Sequence, residues 1–348
     1  MVNKNSKKKI GVLTGGGDCP GLNSVIRAVV RYAINEGYEV IGIKNGWKGL
    51  VEKNITRLDL SAVSGILPKG GTILGTSRTN PYKNDGDVSK VKRNFKQLGL
   101  ECLIAIGGED TLGVAAKLYK EGMNVVGAPK TIDNDLSCTD VTFGFDTAIN
   151  IATEAIDRLH TTAESHHRIM VAEVMGRHAG WIAIESGIAG GADVILIPEV
   201  PIDIKEVCDI LKKRHKRGKS FSIVVVAEGA KFKEGELVKQ EEKLDAFGHI
   251  RLGGIGHRLG EIIEERTGFE TRVTVLGHIQ RGGTPTAFDR VLGTRFGIKT
   301  MELVLNKDYG KMAALQGNKV VAVSLEKAVC KLKTVDMELY KIAQVFFG

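Results

Sequence analysis

The chain has 348 residues and carries 49 Lys and Arg against 41 Asp and Glu, a formal net charge of +8. Hydrophobic residues make up 43% and aromatics 5%, so at about 100–200 residues per domain the length implies two domains with aliphatic cores. Forty-three glycines beside seven prolines suit many tight strand-to-helix turns and exclude a disordered chain.

The five cysteines (Cys19, Cys102, Cys138, Cys208 and Cys330) are scattered, odd in number and without a Cys-x-x-Cys. That excludes a disulfide framework and a zinc site and points to a reducing, cytoplasmic location. With no apolar run of about 18 residues, no membrane span is expected. The basic start, Met1 to Lys9, leads straight into Ile10-Gly-Val-Leu and lacks the apolar stretch of a signal peptide. Basic charge alone allows nucleic-acid binding, but no helix-turn-helix, RNP or zinc-finger pattern is present, so no nucleic-acid partner is expected. The densest basic run, Lys212 to Lys219, reads as the cationic end of a helix.

Taken in order, Lys8 to Thr14 reads as a buried strand and Gly15 to Gly21 as a turn. Leu22, Val25, Ile26, Val29, Val30 and Ala33 then recur at helical spacing, and Gly37 stops that helix. Glu39 to Ile43 is the next strand. The same grammar returns: strand Cys102 to Ile106, turn Gly107-Gly108, helix Thr111 to Tyr119, strand Asn124 to Gly127. Further strands are read at Arg168 to Val174, Val194 to Ile197, Ser222 to Ala227 and Val320 to Val323, with helices at Asp146 to Thr161 and Gly256 to Thr267. Strands alternating with helices imply an α/β fold with mainly parallel sheets, whose ligands sit beyond the carboxyl ends of strands. Lys231 to Arg251 is a polar, charged excursion between elements.

Six segments carry chemistry. Gly15-Gly-Gly-Asp-Cys-Pro-Gly-Leu-Asn23 could close backbone N–H groups on a phosphate, although it is neither a Walker A loop nor G-x-G-x-x-G, and a purely structural turn explains it as well. Gly107-Gly-Glu-Asp-Thr111 offers two carboxylates. They suit Mg²⁺, which takes one or two carboxylates plus phosphate oxygens, or simply the first turn of a helix. Pro129-Lys-Thr-Ile-Asp-Asn-Asp135 supplies a cation, a hydroxyl and two carboxylates, the parts that phosphoryl transfer to a hydroxyl requires. Met175-Gly-Arg-His-Ala-Gly-Trp181 and Glu228 follow apolar strands. Glu270 to Gly283 brings Arg272, His278 and Arg281, and Arg forks suit phosphate.

In this order the segments resemble the phosphofructokinase family, from about Lys9 to about Thr300. The resemblance implies two doubly wound, Rossmann-like α/β domains with the active site in the cleft between them. Residues 1–144 plus 280–329 would form the larger donor-phosphate domain, and 145–279 plus 330–348 the smaller sugar-phosphate domain. It implies that Asp133 takes the proton from the sugar 1-hydroxyl, that Thr131 holds that end of the acceptor, and that Glu109 and Asp135 serve Mg²⁺. Gly16 and Gly17 would line the donor phosphates, and Arg78 would meet the transferring phosphoryl group. Met175, Gly176, Arg177 and Glu228 would bind the fructose portion, and Arg168, Arg272, His278 and Arg281 the 6-phosphate. Family residues like Arg168 and Arg272 reach in from a neighbouring subunit, so a homodimer or homotetramer is implied. ATP-using members usually carry Gly at the places of Asp110 and often of Lys130. Here a carboxylate would repel the α-phosphate of ATP, and the lysine adds a cation beside the transferring group. The implied reaction is transfer from pyrophosphate to fructose 6-phosphate, with an ATP-dependent member as the alternative. A lipid or NAD kinase would lack the Pro129 to Asp135 segment, a dinucleotide oxidoreductase would need the absent G-x-G-x-x-G, and a non-catalytic paralogue would not need Asp133, Asp135 and Arg78 intact.

Overall fold

A computed structural model describes residues 7–233 and 253–348. In chain order the elements begin with β1 (Lys9–Thr14), α1 (Leu22–Asn35), β2 (Glu39–Ile43), α2 (Trp47–Glu52), β3 (Ile55–Leu58) and α3 (Asp87–Gln97). They continue through β4 (Leu100–Gly107), α4 (Glu109–Lys120), β5 (Val125–Pro129), α5 (Phe145–His166), β6 (Ile169–Val174) and α6 (Trp181–Ala189). Next come β7 (Val194–Leu196), α7 (Ile204–Lys216), β8 (Ser222–Ala227), α8 (Ile255–Thr267) and β9 (Thr271–Val275), followed by a 3-10 turn at Gly277–Arg281. The chain ends with α9 (Ala287–Leu305), β10 (Lys311–Gln316), β11 (Lys319–Ser324), α10 (Leu325–Val329) and α11 (Met337–Gln344).

Two compact units divide these elements. Unit 1 comprises Met1–Ile132, Leu136–Asp146 and Arg281–Leu332; unit 2 comprises Asp133–Asp135, Thr147–Gln280 and Lys333–Gly348.

Unit 1 is built on a seven-stranded sheet of order β11-β10-β5-β4-β1-β2-β3. Its interior pairings are parallel, and the edge strands β3 and β11 pair antiparallel to β2 and β10. Strands covered on both faces read as unbroken apolar runs; accordingly, Cys102 to Ile106 in β4 are all fully buried. The helical stripe of α1 lies inward: Leu22, Val25, Ile26, Val29, Val30 and Ala33 are all buried. Unit 2 has a parallel four-stranded sheet, β7-β8-β6-β9, with β6 and β8 buried along their whole length. In β6 the buried Glu173 accepts from the backbone N–H groups of Gly254 (3.0 Å) and Gly256 (2.7 Å) and so anchors the start of α8.

The fold is the α/β class with mainly parallel sheets that the alternating pattern implies. Of the excursion at 231–251, only its first residues are described, where Phe232 bridges Ile202; the rest lies outside the described residues.

Candidate functional site

In unit 1 the Gly-rich turn leaves the carboxyl end of β1 and is held by its neighbours. Gly15 N–H donates to the carbonyl of Ile106 (2.9 Å) and Gly16 N–H to that of Ser77 (3.2 Å), while Thr76 Oγ1 donates to the Gly16 carbonyl (2.5 Å). Two amides of the turn are thus committed to protein carbonyls, which narrows the expectation that they would close on a phosphate. What the turn offers instead is close backbone approach beside cations. Lys130 follows β5, is 3% exposed, and donates its ammonium to the Gly17 carbonyl. An ideal Cβ at Gly16 would lie 3.4 Å from Lys130 Nζ, and one at Gly17 would collide with the Arg281 guanidinium. Arg281 Nη1 also faces the Asp18 carbonyl at 3.4 Å. The resemblance assigns Arg281 to the sugar 6-phosphate; in unit 1 it rests on Gly17, because only a residue without a side chain leaves that space. Arg78 is exposed and ends the loop whose Thr72, Thr76 and Ser77 pack on β1 and the turn.

The acidic pair Glu109 and Asp110 forms the first turn of α4, behind a Gly108 N-cap that makes no side-chain bond. Negative charge is stabilised there by the helix dipole, so of the two readings left open by the sequence the helical one describes their placement. With Asn80, Lys117 and Glu326 they line a cavity of about 350 Å³ in unit 1. No group of three or more His, Cys, Asp or Glu arranged for a metal occurs among the described residues. Magnesium held chiefly by phosphate oxygens needs only one or two carboxylates; Glu109 is exposed in unit 1, and Asp135 is 9% exposed in unit 2.

Thr131, the last but one residue of its unit 1 segment, is buried, and its carbonyl accepts from Thr142 Oγ1 at 2.8 Å. In unit 2, Asp133 and Asp135 are 4% and 9% exposed and flank Asn134, whose φ is +52°. Lys333 holds this segment: its N–H donates to the Asp135 carbonyl (2.9 Å) and its ammonium to Asn134 Oδ1 (3.1 Å).

After β6 the chain makes the Met175–Trp181 loop. Met175 N–H donates to Gln280 Oε1 (2.9 Å) and Arg177 N–H to Glu228 Oε1 (3.1 Å). Gly176 has φ +146°, and a Cβ there would come within 2.6 Å of the Ala179 carbonyl oxygen, so only glycine makes the bend. Met175, Gly176, Arg177 and Glu228 are therefore assembled at the carboxyl ends of β6 and β8. His278 is exposed in the 3-10 turn beyond β9.

Arg168 and Arg272 stand at the other end of the same sheet, where Ile169 pairs with Thr271. Glu270 ties both: Arg168 Nε lies 2.8 Å from its carboxylate, and Arg272 pairs with it as well. The bond from Arg168 holds the Glu270 carboxyl below its ordinary range. Six strand residues separate this end from Met175, a rise of about 20 Å. The structure thus does not bring one chain's Arg168 and Arg272 to its own His278.

Several polar residues that hold this arrangement lie outside the sequence-derived set: Thr76, Ser77, Gln280, Glu199 and Lys333. Glu199 accepts from Gly180 N–H (3.0 Å) and Val335 N–H (2.9 Å). Gln280 is fully buried within the Gly277–Gly283 segment, a placement that nothing in the sequence around it (Ile279 before, Arg281 after) signals.

A family model described as Phosphofructokinase matches residues 9–304. A pyrophosphate–fructose 6-phosphate 1-phosphotransferase of Streptomyces coelicolor is 59% identical over 98% of this chain and all of its own length. An ATP-dependent 6-phosphofructokinase 3 of the same organism is 54% identical over 97% of this chain and 99% of its own. Among solved structures, Pichia pastoris phosphofructokinase aligns with a TM-score of 0.83 and 35% identity over 99% of this chain, which spans 39% of that longer one. A pyrophosphate-dependent phosphofructokinase from Marinobacter aquaeolei shares the fold, with a TM-score of 0.82 at 20% identity over 95% of this chain and 86% of its own.

Proposed function

The chain belongs to the phosphofructokinase family, and from that premise we propose that it transfers a phosphoryl group from pyrophosphate to the 1-hydroxyl of fructose 6-phosphate, giving phosphate and fructose 1,6-bisphosphate. It does so as a magnesium-dependent cytoplasmic enzyme of glycolysis and gluconeogenesis. The observation that carries the donor is Asp110 in the first turn of α4, on the wall of the cavity in unit 1. A diphosphate is satisfied by the Lys130 and Arg281 cations at the Gly16–Gly17 turn. A nucleoside triphosphate must extend further and meets a carboxylate, and juxtaposed like charges cost several kcal/mol. The names of the relatives include both donors, so this residue bears the choice.

The residues take distinct roles. Asp133 accepts the proton of the 1-hydroxyl as its oxygen attacks phosphorus and the bridging oxygen of pyrophosphate departs with the leaving phosphate. Lys130, with Arg78, stabilises the charge on the transferring group, and Thr131 steadies the acceptor. Met175, Gly176, Arg177 and Glu228 hold the fructose portion, and His278 its 6-phosphate. Arg281 serves an anion at the Gly-rich turn. Glu109 and Asp135 would hold the magnesium ion, which when bound neutralises charge on the phosphate oxygens.

Because phosphate and not ADP is the product, the reaction runs backward on phosphate alone. Incubating the protein with fructose 1,6-bisphosphate, Mg²⁺ and phosphate is expected to release fructose 6-phosphate and pyrophosphate. Release that depends on ADP and ignores phosphate would contradict the assignment.

The opposite placement of Arg168 and Arg272 supports a homo-oligomer, dimer or tetramer, in which a neighbour's arginines complete each 6-phosphate site. Mixing inactive Asp133→Ser protein with inactive Arg272→Ala protein, after dissociation and reassembly, is expected to regenerate activity. In such a hybrid, one site has Asp133 from one subunit and Arg272 from the other. No recovery in verified hybrids would argue against shared sites.

A further inference from the structure

The family match ends at residue 304, yet a residue of the tail holds the segment that carries the proposed base. We propose that Lys333 is a positioning residue for phosphoryl transfer: it fixes the Asp133–Asp135 segment and couples it to the Met175–Trp181 loop. This inference rests on the role given to Asp133 above.

Lys333 acts through three groups at once. Its backbone N–H donates to the Asp135 carbonyl at 2.9 Å, and its ammonium donates to Asn134 Oδ1 at 3.1 Å. Its own carbonyl accepts from Trp181 Nε1 at 3.0 Å, and the ammonium stands over the Trp181 ring, 5.0 Å from the centroid. Two residues on, Val335 N–H donates to Glu199, whose carboxylate also takes Gly180 N–H. The tail is thereby laced to both loops within unit 2.

The need for such a clamp lies in Asn134. Its φ of +52° is left-handed, a region that asparagine tolerates better than most non-glycine residues but that still leaves the turn dependent on the groups that fix its side chain. An ammonium-to-amide bond is charge-assisted and stronger than a neutral one. It holds the Asn134 side chain, and the backbone bond beside it fixes the direction in which the chain leaves Asp135. Releasing the side-chain bond lets the peptide planes around Asn134 rotate, which turns the adjoining Asp133 carboxylate away from the acceptor hydroxyl. A base displaced by about 1 Å loses on the order of 10²-fold in rate. The stem length and charge of lysine are both used, so a neutral isostere of the stem separates them.

The test compares Lys333→Met, which keeps the stem, with Lys333→Arg, which keeps the cation. Lys333→Met is expected to lower kcat by roughly one to two orders of magnitude, with KM for fructose 6-phosphate changed by less than about threefold and the thermal midpoint kept. Lys333→Arg is expected to recover most of the loss. Hydrogen–deuterium exchange in peptides covering 131–136 is expected to quicken in Lys333→Met and not in Lys333→Arg. A Lys333→Met enzyme with kcat within twofold of the parent, or a loss that arginine leaves unrestored, would overturn the proposal. The parent is assayed with both pyrophosphate and ATP. Turnover with ATP alone would refute the donor reading while leaving the variant-to-parent ratio readable. If the parent turned over neither donor, the exchange data would decide: faster exchange supports the clamp, and unchanged exchange sinks it.

Discussion

Asp133→Ser is expected to lower kcat by roughly 10³-fold, within the 10²–10⁴-fold range of a general base, while KM for fructose 6-phosphate moves by less than about threefold. Asp133 is 4% exposed and lies in a segment held through Asn134 and Asp135. A serine fits the space but does not accept the proton of an attacking hydroxyl near neutral pH. Because the proton moves only in the transition state, the loss falls on turnover and not on sugar binding. Asp133→Asn, which matches the shape, should be as poor. Initial rates at saturating donor and sugar check this, and an Asp133→Ser enzyme with near-normal turnover would remove Asp133 from the role of base.

The second large effect is on the donor. Asp110→Gly is expected to raise kcat/KM for ATP by about 10²-fold and to lower it for pyrophosphate, because several kcal/mol of like-charge repulsion disappear with the carboxylate. The substitution falls in the first turn of α4. There glycine costs about 1 kcal/mol of helix stability and forgoes a favourable charge at the dipole's positive end. A modest drop in thermal midpoint should accompany the gain in ATP use. Unchanged ATP kinetics in a folded Asp110→Gly protein would mean that something other than this carboxylate excludes the nucleotide.

Much of the fold could be read from the sequence because its central strands are buried on both faces and several helices, α1 and α4 among them, begin at glycine turns. The runs now seen as β1, β2, β6 and β8 show this directly. Elements whose packing is keyed by polar groups escaped. Helix α3 is docked by Asn94, whose Nδ2 donates to the carbonyls of Leu50 (2.8 Å) and Val51 (3.0 Å), a contact with no periodicity to detect. β3 is an edge strand with mixed exposure, and β10 lies beside the short turn to β11. At the candidate site, the residues gathered at strand ends, such as Met175 and Glu228, stood out because glycine and charge follow an apolar run. Lys333, Glu199 and Thr76 did not, since each works through a partner far away in sequence: the Asn134 amide, the Val335 N–H and the Gly16 carbonyl. The seat of Arg281 on Gly17 was equally hidden, because 264 residues of chain separate two positions that only the folded unit 1 brings together.

The most direct test of the donor assignment is phosphorylation of fructose 6-phosphate with Mg²⁺ by one preparation of the unaltered protein, run in parallel with pyrophosphate and with ATP. Strong formation of fructose 1,6-bisphosphate with pyrophosphate and little with ATP is the predicted result. Strong formation with ATP and little with pyrophosphate would contradict it, and would show that Asp110 and Lys130 do not select the donor as their charges imply.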